Sequence, residues 1–396
     1  MISNDNLAQS LAESSATAPR RLRYLEDGKK IALYGAGGMG RDLLVALTEA
    51  GYPVTCVLDR RAAPGQKLEG FPVLKPDDKS LVPLRAAMHV IVSIFNPNTE
   101  VAPVFEQLRS AGWHSITSAI QLYQLFPALR PRCWLVPAGY YEGKTADILS
   151  AAGIWSDQKS RDLYRAVIEF RLTGDYERFP PAEPCQYFPP DVPAWKTPLR
   201  FIDCGAFDGD TLRTIQELNV PVEAIVAFEP DEANYRALVS RSRSRYFSGS
   251  QVICLPCGVH AGTRQLNFSS GLGASSHISE DVTTTPLRKG WRWLIFSRGI
   301  SPRGGNPIQC ISLDDCIGGF GATLIKMDIE GAEYGALQGA ANMIAATRPG
   351  LAICVYHCPD DIWRIPALIR SWGLDYKFYL RIHAQSGFDL VLYAIP

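Results

Sequence analysis

Three constellations in this chain combine residue types and spacings that could do chemistry. The first is Gly35-Ala36-Gly37-Gly38-Met39-Gly40, a Gly-x-Gly-x-x-Gly turn between the apolar run Lys30–Tyr34 and a stretch with Leu43, Leu44, Ala46 and Leu47 at helical spacing. Asp59 ends the next apolar run, Val54–Leu58. Glycines so spaced let the backbone approach a pyrophosphate lodged at a helix N-terminus, and the acid can take ribose hydroxyls. The loop carries no acid and Arg41 follows it, so nothing there repels phosphate. Gly35, Gly37, Gly38, Gly40 and Asp59 outline either a nucleotide site, for NAD(P) or a similar ligand, or a structural turn of the same form without a ligand.

The second constellation is Asp203-Cys204-Gly205-Ala206-Phe207-Asp208-Gly209, with Glu229-Pro230 closing the following strand. Carboxylates at a strand end and inside the turn would oppose a pyrophosphate by several kcal/mol in a partly dry site. They suit a ligand that is cationic or rich in hydroxyl and amine donors. S-adenosylmethionine has a sulfonium, an amine and a ribose diol, and no phosphate. The cofactor-binding residues expected are Asp203, Gly205, Ala206, Asp208, Gly209, Glu229 and Pro230, with Glu229 accepting both ribose hydroxyls. A helix cap at Asp203 and a surface charge at Glu229 are the bland alternatives. The third constellation is Lys326, Asp328, Glu330 and Glu333, with His357 ending a later strand. Side-chain alternation puts Lys326, Asp328 and Glu330 on one face of an extended chain.

The elements that must position these residues are legible as strands alternating with helices, which implies α/β architecture with parallel sheets covered on both faces. In the C-terminal half, strands are expected at 201–204, 225–228, 252–255, 323–327, 351–356, 376–380 and 390–394. The last two, joined by a short glycine-containing link, form an antiparallel pair. Pro366 predicts a kink or break in a helix over 362–372. Four segments result: a frayed start at 1–20, a Rossmann-like domain at 21–130, a proline-rich helical linker at 131–199 and a second α/β domain at 200–396. Lys+Arg and Asp+Glu number 40 each, a balance that argues against a nucleic-acid-binding protein. No apolar run approaches the roughly 18 residues of a membrane helix, and the first twenty residues lack signal-peptide order. Ten cysteines scattered through the chain fit free thiols and a cytoplasmic protein.

Residues 200–396 resemble the FkbM family of S-adenosylmethionine-dependent methyltransferases. The resemblance rests on Phe201-Ile202-Asp203-Cys204-Gly205-Ala206, Ala227-Phe228-Glu229-Pro230, Ser312-Leu313-Asp314-Asp315 and, above all, Ile325-Lys326-Met327-Asp328-Ile329-Glu330-Gly331-Ala332-Glu333. Tyr356-His357 and Asp360-Asp361-Ile362-Trp363 complete it. It implies a class I methyltransferase fold, a doubly wound seven-strand sheet with its last strand antiparallel, and methyl transfer to a hydroxyl of a sugar or secondary metabolite. It also places Ser275, in the loop Gly271–His277, near the cofactor. The first 130 residues resemble the Rossmann-like N-terminal domain of sugar acyltransferases through Tyr34-Gly35-Ala36-Gly37-Gly38, Leu58-Asp59 and Gly70-Phe71-Pro72-Val73-Leu74. That similarity implies a nucleotide-sugar ligand. Met39 stands where the acyltransferases often carry a histidine, so that residue's role is absent.

Methyl transfer needs an acceptor oxygen aligned behind the methyl group and a group to take its proton. The candidates are Asp328, His357 and Glu330, with Lys326, Arg381 and His383 as substrate contacts. Glu333 is expected to complement a helix dipole instead. A divalent metal on Asp328 and Asp360 or Asp361 is compatible with the residues but not specified by them. The basic, tryptophan-bearing stretch 282–313 suits either an anionic acceptor or plain solvent exposure. Cys254, Cys257, Cys354 and Cys358 cannot share a zinc ion if their strands stand four positions apart, about 19 Å at 4.8 Å per step. The rival functions are a nicotinamide-dependent oxidoreductase or a nucleotide-sugar-binding protein working through the first glycine loop, and a non-catalytic sensor.

Overall fold

The apolar runs become strands because strands buried on both faces admit little else. A computed structural model describes residues 7–9, 11–12, 25, 27–123, 132–136, 138–141, 143–269, 277–279 and 306–396. The expectations for Ser275, for most of the basic stretch 282–313 and for most of 1–20 lie outside the described residues. The chain divides into two units. The first comprises 1–152, 162–182 and 384–388, and the second 153–161, 183–383 and 389–396.

In the first unit, β1 (Lys30–Tyr34), β2 (Val54–Leu58), β3 (Lys67–Leu68), β4 (Phe71–Leu74), β5 (Met88–Val92) and β6 (Ser115–Ser118) form one sheet of order β3-β4-β2-β1-β5-β6. All its pairings are parallel except β3 with β4. The helix Gly38–Glu49 buries Leu43, Leu44 and Leu47. It can lie against the glycine turn because residue 40 has no side chain: a Cβ there would sit 1.9 Å from the Gly35 carbonyl oxygen.

The second unit carries β7 (Leu199–Cys204), β8 (Val222–Phe228), β9 (Gln251–Leu255), β14 (Leu324–Met327), β15 (Gly350–Cys354), β16 (Lys377–Ile382) and β17 (Leu390–Ile395). Their order is β16-β17-β15-β14-β7-β8-β9. Five strands run parallel, and the hairpin β16–β17 attaches antiparallel through β17. This is the doubly wound seven-strand sheet that the resemblance implied. β9 and β15 are four positions apart, as the argument against a shared zinc site requires. A four-stranded sheet of β10 (Gly258–Val259), β11 (Arg264–Ser269), β12 (His277–Ser279) and β13 (Asn306–Ile311) was not anticipated.

Two expectations change. No break occurs at Pro366: one helix, Asp361–Ser371, runs through it, with Ile362, Trp363, Ile365, Pro366 and Ile369 all buried. Burial of that face outweighs the backbone hydrogen bond that proline cannot make. The proline-rich stretch is also shared out, 131–152 and 162–182 with the first unit and 153–161 and 183–199 with the second.

Candidate functional site

Register sets the site. Asp203 pairs with Lys326 and Cys204 with Met327 across β7 and β14, while Met327 pairs with Ile353 on β15. The residues that follow, Gly205, Asp328 and then His357, therefore leave the sheet at its carboxyl edge, where open α/β sheets take their ligands. Gly205 has φ +79°, and a Cβ on it would lie 1.9 Å from the Asp328 carbonyl oxygen. The two strand ends approach this closely only because residue 205 is glycine.

The turn 205–209 is fastened to β8 by Glu229. Its Oε2 accepts from Phe207 N at 2.9 Å and its Oε1 from Asp231 N at 2.8 Å. Burial pushes the Glu229 carboxyl up, against the pull of these two bonds. Asp231 caps the helix Glu232–Ser242 by accepting from Ala233 N and Asn234 N. Asp208 lies near Arg241, whose Nε donates to the Asp208 carbonyl at 3.1 Å. Ala206 and Gly209 are buried and Pro230 half-buried.

Asp203 sits elsewhere than expected. It is fully buried, and its carboxylate lies 3.0 Å from the equally buried Lys326 ammonium. Lys326 also donates to the Gly205 carbonyl at 2.6 Å. Burial opposes the Lys326 charge, but Asp203, Asp328 and Asp210 outweigh it and hold the ammonium above the usual lysine range. The electrostatic distinction drawn from Asp203 is thus offset by Lys326, whose side chain is 2% exposed. Neither of the other expected substrate contacts is free. Arg381 is 1% exposed and ion-paired with Asp157 and Asp191. His383 donates through Nδ1 to the Glu183 carbonyl at 2.9 Å, and its Nε2 bonds the Tyr393 hydroxyl at 2.8 Å.

The acidic constellation does assemble around His357. Its Nδ1 meets Glu333 Oε1 at 2.8 Å, while its Nε2 lies 3.5 Å from Asp328 Oδ1 and 3.6 Å from Glu330 Oε2. Glu333 opens the helix Glu333–Gln338 and does more than complement a dipole. Its carboxylate also accepts from Ile329 N and Gly331 N and is fully buried. Burial works against charge on His357, but Glu333 and Glu330 outweigh it and hold its pKa well above the usual histidine value. Glu330 occupies the left-handed region at φ +57°, and burial raises its carboxyl to about 7. Asp328 resists burial through Lys326 and His357 and stays below the usual carboxylate range. Asp361 is fully buried, accepting from Cys358 N and pairing with Arg364.

Two participants were missed. Tyr187 donates from its hydroxyl to Asp328 Oδ2 at 2.8 Å, and its ring centroid lies 5.3 Å from Lys326 Nζ. It belongs to the proline-rich stretch read as a linker. Asp389, at the start of the last strand, is raised to about 6 by burial and by Asp328. A pattern of acids at strand ends could have found Asp389; no local signal marks Tyr187.

In the first unit, Gly35, Gly37, Gly38 and Gly40 do form the turn into the helix Gly38–Glu49. Asp59 Oδ2 accepts from Ala36 N at 3.0 Å and Oδ1 from Arg61 N at 2.8 Å, so this acid braces the turn. No helix among the described residues is long and apolar enough to cross a membrane.

Comparison with known proteins agrees with both resemblances. Residues 203–379 match the family model described as the Methyltransferase FkbM domain, and residues 30–100 that of the PglD N-terminal domain. The crystal structure of methyltransferase FkbM from Methylobacillus flagellatus superposes with a TM-score of 0.75 at 22% identity, covering 99% of this chain and 100% of that one. At this identity the likeness establishes a shared fold. The GsuK channel, at a TM-score of 0.19 and 13% identity over 57% of this chain and 66% of that one, has no bearing on it. No curated protein matches the chain.

Proposed function

We propose that the second unit is an S-adenosylmethionine-dependent methyltransferase acting on a hydroxyl of a small molecule, of the sugar or glycosylated-metabolite class. The observation that carries this reading is convergence. The turn 205–209 tied to Glu229 and the cluster Asp328–Glu330–His357 leave the same edge of one parallel sheet. The residues fit the cofactor. Each Glu229 oxygen accepts one backbone bond, and a carboxylate oxygen can accept two, which leaves capacity for a ribose diol. S-adenosylmethionine, when bound, supplies an electrophilic methyl group. Asp328, braced by Tyr187, and His357, braced by Glu333, orient the acceptor hydroxyl, whose proton is lost as the methyl group transfers.

Calorimetry with S-adenosylhomocysteine tests the cofactor half. The wild-type chain binds and Glu229→Ala loses binding while its circular dichroism is unchanged. Equal affinity in the two proteins would remove Glu229 from the site, and no binding by the wild type would remove the reading. Transfer of labelled methyl to a sugar panel tests the acceptor class.

A second reading concerns the first unit. Its glycine turn, with Gly37 facing open space and the PglD-type match, favours an NAD(P) or nucleotide-sugar ligand there. Loss of NADH or UDP-sugar binding on Gly37→Val would support it.

A further inference from the structure

We infer that His357, Asp328 and Glu330 hold a divalent first-row transition cation such as Mn²⁺ or Zn²⁺, which takes the acceptor hydroxyl as a further ligand. The use made of the ion rests on the methyltransferase reading; its binding does not.

Three features point to a cation. The side chain of His357 is 3% exposed, and its Nε2 has no hydrogen-bond partner. That atom faces two carboxylate oxygens, Asp328 Oδ1 at 3.5 Å and Glu330 Oε2 at 3.6 Å. Both gaps exceed the N–H···O range of about 2.7–3.2 Å, so a shared proton does not account for them. Two bonds of about 2.1 Å opened at octahedral or tetrahedral angles separate their donor atoms by roughly 3.0–3.4 Å, close to the spacing seen. Second, both ligands are already oriented from behind. Glu333, fixed by two backbone N–H groups, accepts from His357 Nδ1, and so turns Nε2 toward the acids, where a cation would take the place of the imidazolium proton. Tyr187 takes Asp328 Oδ2 and leaves Oδ1 toward the imidazole. A carboxylate–histidine pair of this kind is the usual support of a metal-bound imidazole. Third, Asp328 and His357 belong with Glu333 to a group of donors within 4.8 Å of one another; Glu330 is outside that group, and its place rests on its 3.6 Å approach to His357 Nε2. Glu333 is engaged by backbone and imidazole, and the part-exposed Glu330 serves as the third ligand.

One imidazole with two carboxylates suits Mn²⁺, Fe²⁺, Co²⁺ or Zn²⁺ better than Mg²⁺, which prefers oxygen and retains water. On the bound acceptor the ion lowers the pKa of the hydroxyl, whose proton leaves to water along the partly open side of the cluster.

The test uses the full chain freed of metal by chelation. Mn²⁺ titration followed by electron paramagnetic resonance should show one tight site per chain, displaced by Zn²⁺. His357→Gln and Glu330→Gln should each weaken it at least tenfold. Glu330 is at the rim, so its variant reports even if His357→Gln fails to fold. S-adenosylhomocysteine calorimetry on the same samples separates the two ideas. Mn²⁺ binding without cofactor binding upholds the metal site and defeats the methyltransferase reading. Cofactor binding without Mn²⁺ or Zn²⁺ binding overturns the metal site alone, and so does Mn²⁺ affinity that neither substitution changes.

Discussion

Replacing Lys326 by methionine should expose how the turn 205–209 is held. The ammonium and the Asp203 carboxylate are 3.0 Å apart, with side chains 2% and 0% exposed. Removing one partner of such a pair strands the other charge in the interior, at about 3–5 kcal/mol. The same substitution deletes the bond to the Gly205 carbonyl, so the cost falls toward the upper end. Hydrogen exchange read on peptides spanning β7 and β14 reports the second unit by itself. In Lys326→Met these amides should exchange faster by roughly 150- to 5,000-fold, the equivalent of that energy. The double variant Asp203→Leu/Lys326→Met should recover most of the loss, because two apolar side chains replace two desolvated charges. Exchange accelerated by less than about tenfold in the single variant, or a double variant as unstable as the single one, would refute the view that the pair is a charge-compensating clamp.

Other outcomes follow from the same geometry. Tyr187→Phe removes the bond that holds Asp328, and should cut turnover by roughly 10- to 100-fold while leaving S-adenosylhomocysteine affinity unchanged in calorimetry. Glu330→Gly should abolish methyl transfer yet raise stability by about 0.5–1 kcal/mol in denaturant titration, because glycine relieves the left-handed backbone. Acid unfolding should feel Asp191. Burial works against its charge, but Arg381 and Lys159 outweigh it and hold its carboxyl at about 2. Its folded pKa lies below the unfolded value of about 3.9, so it stabilises the fold above that pH and the contribution is lost as pH falls toward 2. Asp191→Asn should flatten the stability profile of the second unit across that window.

What was legible in the sequence follows from locality. β1 was read to the residue because a strand covered on both faces is an uninterrupted apolar run bounded by a glycine turn. The partnership of Asp203 with Lys326 was not, since it depends on the register between two strands far apart in the chain. Reading Lys326 by alternation put it beside Asp328 and gave no sign of its burial against Asp203. The ion pairs of Arg381 were hidden for the same reason: its partners Asp157 and Asp191 come from distant segments. Tyr187 was hidden in a segment whose prolines announce extended chain and say nothing of what it packs against. The sheet β10–β13 escaped in part because two of its strands have only two or three residues. Strand-end acids were found because their position follows from the fold class alone.

Crystallising the chain with saturating S-adenosylhomocysteine tests the central claim most directly. The ligand should lie across the carboxyl edge of β7 and β8, with its ribose on Glu229 and its sulfur facing Asp328 and His357. Density confined to the turn Gly35–Gly40, or a vacant edge beside Glu229, would contradict the account.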